Sequence, residues 1–326
     1  MSRFSKTALK VVLGGGIVGL LSGIAYSALA INHNHDLPPA LDGERRTFAV
    51  PGAGMQSYYV SRAGVGRPLI LIHSINTAAS AYEMRPLFDY YRGKRPIYAL
   101  DLPGFGFSDR ADRPYTPDLY THVIALFLQT QLREKQPADL IALSLGAEFV
   151  ARAAQINPAR VHSLGLISPT GFSGRGGASQ NSVPFGNTLH RVLSFPVWGQ
   201  ALYDLLVSER SIRYFLGQSF EGAADEGLIR YALASGHRPG ARHAPLHFIS
   251  GQLFTPNIRE TIYEALTLPV LTLYDVDPNI GFAMLPTTLE RCPNWRAVRI
   301  VPTRGLPHWE KLPETVAALE TFWASL

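Results

Sequence analysis

The chain contains a single cysteine, Cys292, in 326 residues. That excludes an intrachain disulfide framework and any metal cluster built on cysteine. Charge is also sparse: 17% of residues are charged against 46% hydrophobic, the balance of a globular protein. The 30 Lys and Arg exceed the 25 Asp and Glu only enough for a net charge of +5. The cations are scattered, with no run that could form a nucleic-acid footprint, so no nucleic-acid partner is expected. Internal repeats and low-complexity tracts are missing from the body of the chain, which argues against a solenoid. Clustered metal ligands are missing too. His243 and His247 stand four apart, but the sequence sets no carboxylate beside them and a zinc site wants a third ligand. Neither a metal nor another cofactor is expected.

There is one long apolar run. Arg3, Lys6 and Lys10 precede an uncharged stretch from Val11 to Ile31, and a membrane span needs about 20 such residues. Two readings compete over residues 1–31. A secretory signal would be cut at Ala28-Leu29-Ala30. A retained signal anchor fits the length, and it fits Gly15, Gly19, Gly23 and Ser27, which recur every fourth residue as on a close-packing helix face. Either way the positive end stays inside. The body then faces outside the cytoplasm, anchored to the membrane or released into the periplasm or medium. Residues 32–46, with Pro38 and Pro39, form a linker. The body begins after it, so removal of residues 1–31 is expected to leave that body intact.

Beyond the linker, strand-like and helix-like segments alternate. Short apolar or β-branched runs fall at 56–61, 68–73, 96–100, 139–143, 161–167, 270–274 and 297–301. Helical patterns fall at 79–91, 116–132, 146–156, 281–292 and 313–326. This predicts an α/β fold with a mainly parallel sheet and helices on both faces, entered through an antiparallel hairpin near Phe48 and Tyr58. The rhythm stops over 171–266. A structureless loop of that length is improbable. A flexible start at 174–181 and amphipathic pieces at 197–207, 210–220 and 225–235 predict an inserted helical cap, with the core formed by 47–170 and 267–326. Such a cap would cover the sheet edge where open α/β sheets bind ligands. Its aromatic residues (Phe185, Trp198, Tyr203, Tyr214, Phe215, Phe220, Tyr231, Phe248) are expected to be mostly core.

Ser144 is the residue that points to chemistry. It follows the apolar run Asp139-Leu140-Ile141-Ala142-Leu143 and precedes the helical Ala147-Glu148-Phe149-Val150-Ala151. At a sharp strand-to-helix turn a serine hydroxyl is pushed out of the sheet, and the new helix aims its N–H groups at what that hydroxyl attacks. Ala142 and Gly146 supply the small flanking residues. Four further strings accompany it in order: Leu69-Ile70-Leu71-Ile72-His73-Ser74-Ile75-Asn76, Asp101-Leu102-Pro103-Gly104-Phe105-Gly106-Phe107-Ser108-Asp109, Leu271-Thr272-Leu273-Tyr274-Asp275-Val276-Asp277-Pro278, and Gly305-Leu306-Pro307-His308-Trp309.

In these strings the chain resembles the α/β-hydrolase superfamily, and specifically its capped serine esterase and lipase-like members. The resemblance covers roughly 48–326 and is most specific at Asp101–Ser108 and in the Ser, Asp, His order. It implies Ser144 as nucleophile, Asp277 as acid and His308 as base, with the backbone N–H groups of Ile75 and Leu145 as oxyanion hole. Chemistry agrees, because a serine needs a base to take its proton. Histidine titrates near neutrality, and a carboxylate fixes its tautomer. Ser74 and Ala142 stand where the family usually has glycine. Asp275 remains an alternative acid. His73 is read as bracing the oxyanion loop, and Asp101 and Asp109 as turn caps. The resemblance implies hydrolysis of a small apolar ester. Dehalogenases and epoxide hydrolases of this fold carry aspartate where Ser144 stands. Thioesterase, lactonase, C–C hydrolase and aminopeptidase chemistry stay open, as does a non-catalytic binding module on the same fold.

Overall fold

The computed structural model describes residues 21–34, 36–132, 136–174 and 186–326. The apolar runs do form strands: β1 (Glu44–Val50), β2 (Gly54–Ser61), β3 (Leu69–Ile72), β4 (Ile97–Asp101), β5 (Ala138–Leu143), β6 (Val161–Ile167), β7 (Val270–Tyr274) and β8 (Trp295–Arg299). They make one sheet in the order β1-β2-β4-β3-β5-β6-β7-β8. β2 runs antiparallel to β1 and β4, and the remaining pairs are parallel. Every residue of β3, β4 and β5 is buried. Strands covered on both faces are continuously apolar rather than alternating, as Leu69-Ile70-Leu71-Ile72 is.

Helices cover both faces. A 3₁₀ turn, Ala81–Met84, leads into α1 (Arg85–Tyr91). α2 (Pro117–Thr130) begins where the Thr116 hydroxyl accepts the Leu119 N–H at 3.2 Å, and α3 (Gly146–Ile156) follows β5. Between β6 and β7 lies the helical cap: α4 (Gly186–Leu193), α5 (Gly199–Leu206), α6 (Glu209–Gln218), α7 (Glu226–Gly236), α8 (His243–Ile249) and α9 (Ile258–Thr261). After β7 come α10 (Leu285–Arg291), α11 (Pro307–Glu310) and α12 (Leu312–Ala324). The expected helix over 281–292 is thus shorter, since Pro286 sits in the first turn of α10 and fixes its start.

Three features differ from expectation. The segment read as a linker does not hang free: Leu37, Ala40 and Leu41 are buried, and the Ala40 N–H donates to the Tyr59 hydroxyl at 2.9 Å. Its last residues, 44–46, already belong to β1. Two of the cap aromatics, Tyr214 and Phe215 on α6, are exposed, whereas Tyr203, Phe220 and Tyr231 are buried. Of the apolar N-terminal run, residues 21–30 are helical, and 1–20 lie outside the described residues, as do 175–185 with most of the expected flexible stretch and Phe185. Among the described residues no helix is long and apolar enough to cross a membrane.

Two polar ties join cap and core. Arg110 donates to the Ser235 carbonyl at 2.9 Å and to the Gly106 carbonyl at 2.8 Å. Glu148, on α3, accepts from the Thr170 hydroxyl at 2.6 Å and from the Thr255 N–H at 2.7 Å. Burial pushes the Glu148 carboxyl up to about 7. A carboxyl raised above its unfolded value near 4.3 favours the folded state at low pH, and that contribution is lost as pH rises through about 7. Glu148→Gln should therefore gain stability relative to the parent as pH goes from about 5 to 8. Thermal melts across that range check this, and a constant Tm gap would contradict it.

Candidate active site

The sequence-predicted residues follow the carboxyl ends of β3, β5, β7 and β8, the edge where open α/β sheets hold their ligands. Ser144 follows β5 directly with φ of 52°, a left-handed conformation that is uncommon for a residue bearing Cβ. Its N–H donates to the Ile167 carbonyl at 2.9 Å and its carbonyl accepts from Ala147 at 3.1 Å. These bonds hold the turn while the helix begins. Gly146 explains the small flank: a Cβ there would lie 2.5 Å from the His73 carbonyl oxygen. The turn after β3 and the start of α3 are therefore in near contact. That brings the stretch holding Ile75 beside Leu145. Neither amide has an acceptor among the described residues, and the Ser144 hydroxyl has no partner there.

The turn after β3 is pinned from below. His73 is buried; its Nδ1 donates to the Ser74 carbonyl at 2.5 Å and its Nε2 accepts the Leu102 N–H at 2.9 Å. Burial pushes this imidazole down to about 4. Both nitrogens are used, so His73 braces the loop and has no lone pair to act as a base. Asp101 accepts from Ala81 and Phe107, each at 3.0 Å, and Asp109 accepts from Ala111 at 2.8 Å. Both fix turns.

Glu83 was not singled out in the sequence, yet it holds the site together. Its carboxylate accepts from the Ser74 N–H at 2.9 Å and from the Asn76 amide at 2.6 Å. Burial raises its pKa, and those bonds oppose the rise. Its backbone carbonyl accepts from His308 Nε2 at 2.8 Å and from the Trp309 indole at 2.7 Å.

His308 is thus engaged elsewhere than its predicted role requires. It lies fully buried in α11, Nδ1 has no partner, and no hydrogen bond joins it to Asp277 or Ser144. Burial pushes its imidazole down to about 4. Asp277 uses Oδ1 to accept from Asn279 at 2.7 Å and Ile280 at 2.9 Å. Its Oδ2 faces the backbone of Gly305, where a Cβ would approach to 2.6 Å. Asp275 instead spends both oxygens, on Arg299 at 2.7 Å and on the Thr303 N–H at 2.8 Å. It braces the ends of β7 and β8.

The sequence sets no carboxylate beside His243 and His247, but the fold supplies one. His243 does have a carboxylate neighbour, since Asp112 lies 3.4 Å from its Nδ1, and His190 stacks on His247 with ring centroids 3.8 Å apart. Residues so distant in sequence give no spacing signal. Among the described residues no group of three or more His, Cys, Asp or Glu is placed to hold a metal ion.

Comparison with known proteins agrees with this architecture. The model of the alpha/beta hydrolase family matches residues 69–319, and the chain belongs to that family. A haloalkane dehalogenase of Agrobacterium fabrum is 31% identical over 125 residues, covering 38% of this chain and 39% of that protein. A pimeloyl-[acyl-carrier protein] methyl ester esterase of Xylella fastidiosa is 29% identical over 112 residues, 34% of this chain and 40% of that one. The matches thus span about two fifths of either relative. Among solved structures, a serine hydrolase involved in carbazole degradation superposes with a TM-score of 0.70 at 15% identity, covering 87% of this chain and 100% of that one. A membrane phospholipase A superposes with a TM-score of 0.67 at 16% identity, covering 100% of this chain and 99% of that one.

The contact at Gly146 can be tested directly. Gly146→Ala must push the turn after β3 away from α3, and overpacking of this kind costs about 1–3 kcal/mol. Chemical denaturation should show that loss. A variant as stable as the parent would mean that the two turns are not in contact.

Proposed function

We propose that this chain is a serine hydrolase of carboxylic esters. Ser144 is the nucleophile, His308 the base, Asp277 its acid partner, and the Ile75 and Leu145 N–H groups the oxyanion hole. The observation that carries the reading is the elbow at Ser144. Its strained backbone presents an unpartnered hydroxyl beside amides that have no acceptor, and strain of about 1–3 kcal/mol of this kind clusters at functional sites. Asp277 is favoured over Asp275 because its Oδ2 is open toward the loop that carries His308.

In this reading the Ser144 oxygen attacks the ester carbonyl carbon as its proton passes to His308. The carbonyl oxygen becomes an alkoxide held by the two N–H groups. The intermediate collapses, the C–O bond to the alcohol breaks, and the imidazolium returns the proton to that alcohol. Water repeats the steps on the acyl-enzyme. For this His308 must give up the Glu83 carbonyl and turn one nitrogen to Ser144 and the other to Asp277.

The substrate is an apolar ester. Serine at position 144 argues against dehalogenation, since haloalkane dehalogenases of this fold use aspartate there. The full-length likeness to a membrane phospholipase A, together with the uncharged run that starts at Val11, supports a body held at a membrane outside the cytoplasm. Cleavage at Ala28-Leu29-Ala30 would release it instead. A second reading has one observation in its favour: with His308 on the Glu83 carbonyl, the fold could serve as a binding module without turnover.

Fluorophosphonate labelling and a series of p-nitrophenyl esters separate the two. The parent should take label and turn over, and Ser144→Ala should lose both, with kcat/KM down by at least about 10³. Unlabelled, inactive parent protein would favour the binding module. The pH profile probes the base in the same assay. Protonated His308 cannot accept the serine proton, and burial lowers its pKa. The rising limb of kcat/KM should therefore lie below the ordinary histidine value of about 6.5. A limb centred above 6.5 would place the working imidazole outside this buried setting.

A further inference from the structure

Asp204, on α5 of the cap, has a buried carboxylate that the proposed chemistry does not use. It is ringed by donors. The Ser27 hydroxyl donates to it, and His33 Nε2 lies 3.0 and 3.1 Å from its two oxygens. Gln200, one turn earlier on the same helix, donates at 2.8 Å. Ser27 is itself buried. The N-terminal segment is therefore fastened to the cap at both ends of the stretch 27–33.

The residue before Asp204 reaches the other way. The Tyr203 hydroxyl donates to the Thr77 carbonyl at 2.8 Å, two residues beyond Ile75. Val207, one turn further along, packs in one apolar cluster with Tyr203 and Ala78. Adjacent residues of α5 thus hold the N-terminal segment and the turn after β3. Glu83 pins that turn at Ser74 and Asn76, and Tyr203 pins its far side.

We propose that the N-terminal segment is a positioning element of the active site. The clasp of Ser27 and His33 on Asp204 seats α5, and through Tyr203 and Thr77 it fixes the direction of the Ile75 N–H. The proposal rests on the ester-hydrolase reading. It reverses the expectation that residues 1–31 are dispensable, because truncation there removes Ser27 and leaves a buried carboxylate short of a donor. An incompletely paired buried carboxylate is costly, and a shift of a fraction of an ångström in an oxyanion donor is enough to slow acyl transfer.

The test uses the full-length chain. Active sites are titrated with a fluorophosphonate, and kcat on p-nitrophenyl acetate is expressed per titrated site, so that loss of folded protein does not count. Tyr203→Phe and Ser27→Ala each remove a single hydroxyl and should leave the fold intact. Each should lower kcat per site about three- to thirtyfold with little change in KM, less than the 10²–10³ expected for loss of a whole oxyanion donor. His33→Ala should behave alike, and His33→Gln, which keeps a donor, should recover most of the rate. The Ser27→Ala/Tyr203→Phe double variant should be no slower than the slower single one, because both act through one path. Unchanged kcat per site with only a lower Tm or fewer titratable sites would overturn the proposal, as would multiplicative losses in the double variant. A parent that takes no label overturns the hydrolase reading with it, whereas a labelled parent with unaffected variants overturns this inference alone.

Discussion

The buried carboxylate of Glu83 is the constraint on which the site depends. Its two oxygens fix the turn after β3 by accepting from Ser74 and Asn76, while its backbone carbonyl holds His308 and Trp309 from the far end of the chain. A carboxylate without a cation beside it is tolerable inside a protein only when hydrogen bonds satisfy it. The same bonds orient the Ile75 amide. Gly146 completes the arrangement from the other side, because the missing side chain lets α3 approach the His73 carbonyl.

The cap adds a second layer of ties around this centre. Arg110 and Glu148 from the core, and Tyr203 from the cap, tie the two together through polar contacts. The N-terminal segment belongs to this layer. Asp204 draws two of its donors from residues before the sheet begins, so the segment behaves as part of the folded body. The packing of Leu37, Ala40 and Leu41 carries the same connection on to the sheet.

Much of the core was legible in the sequence for a simple reason. β3 is covered on both faces, so its unbroken apolar run leaves no other reading, and the small residues around Ser144 follow from the collision of strand and helix. The role of His73 as a brace was readable too, since it ends a buried strand at a turn. The surroundings of His308 were not. Its chain order beside Ser144 and Asp277 fits a triad, but its hydrogen bond runs to a carbonyl 225 positions away, and no local pattern encodes that. The choice between Asp275 and Asp277 likewise turns on partners from β8 and the loop after it. Asp204 and Glu83 escaped notice because an acid on a helix ordinarily faces solvent, and only tertiary packing shows that these two do not.

In the proposed mechanism a preformed elbow and oxyanion turn await a base that rests on the Glu83 carbonyl. The most direct measurement is a crystal structure of the protein after reaction with a fluorophosphonate. The expected adduct has a covalent bond from the Ser144 oxygen to phosphorus, with the phosphonyl oxygen within hydrogen-bond reach of the Ile75 and Leu145 N–H groups. His308 should be turned from Glu83 toward Asp277. An adduct in which His308 still donates to the Glu83 carbonyl, or whose phosphonyl oxygen points away from both amides, would contradict it.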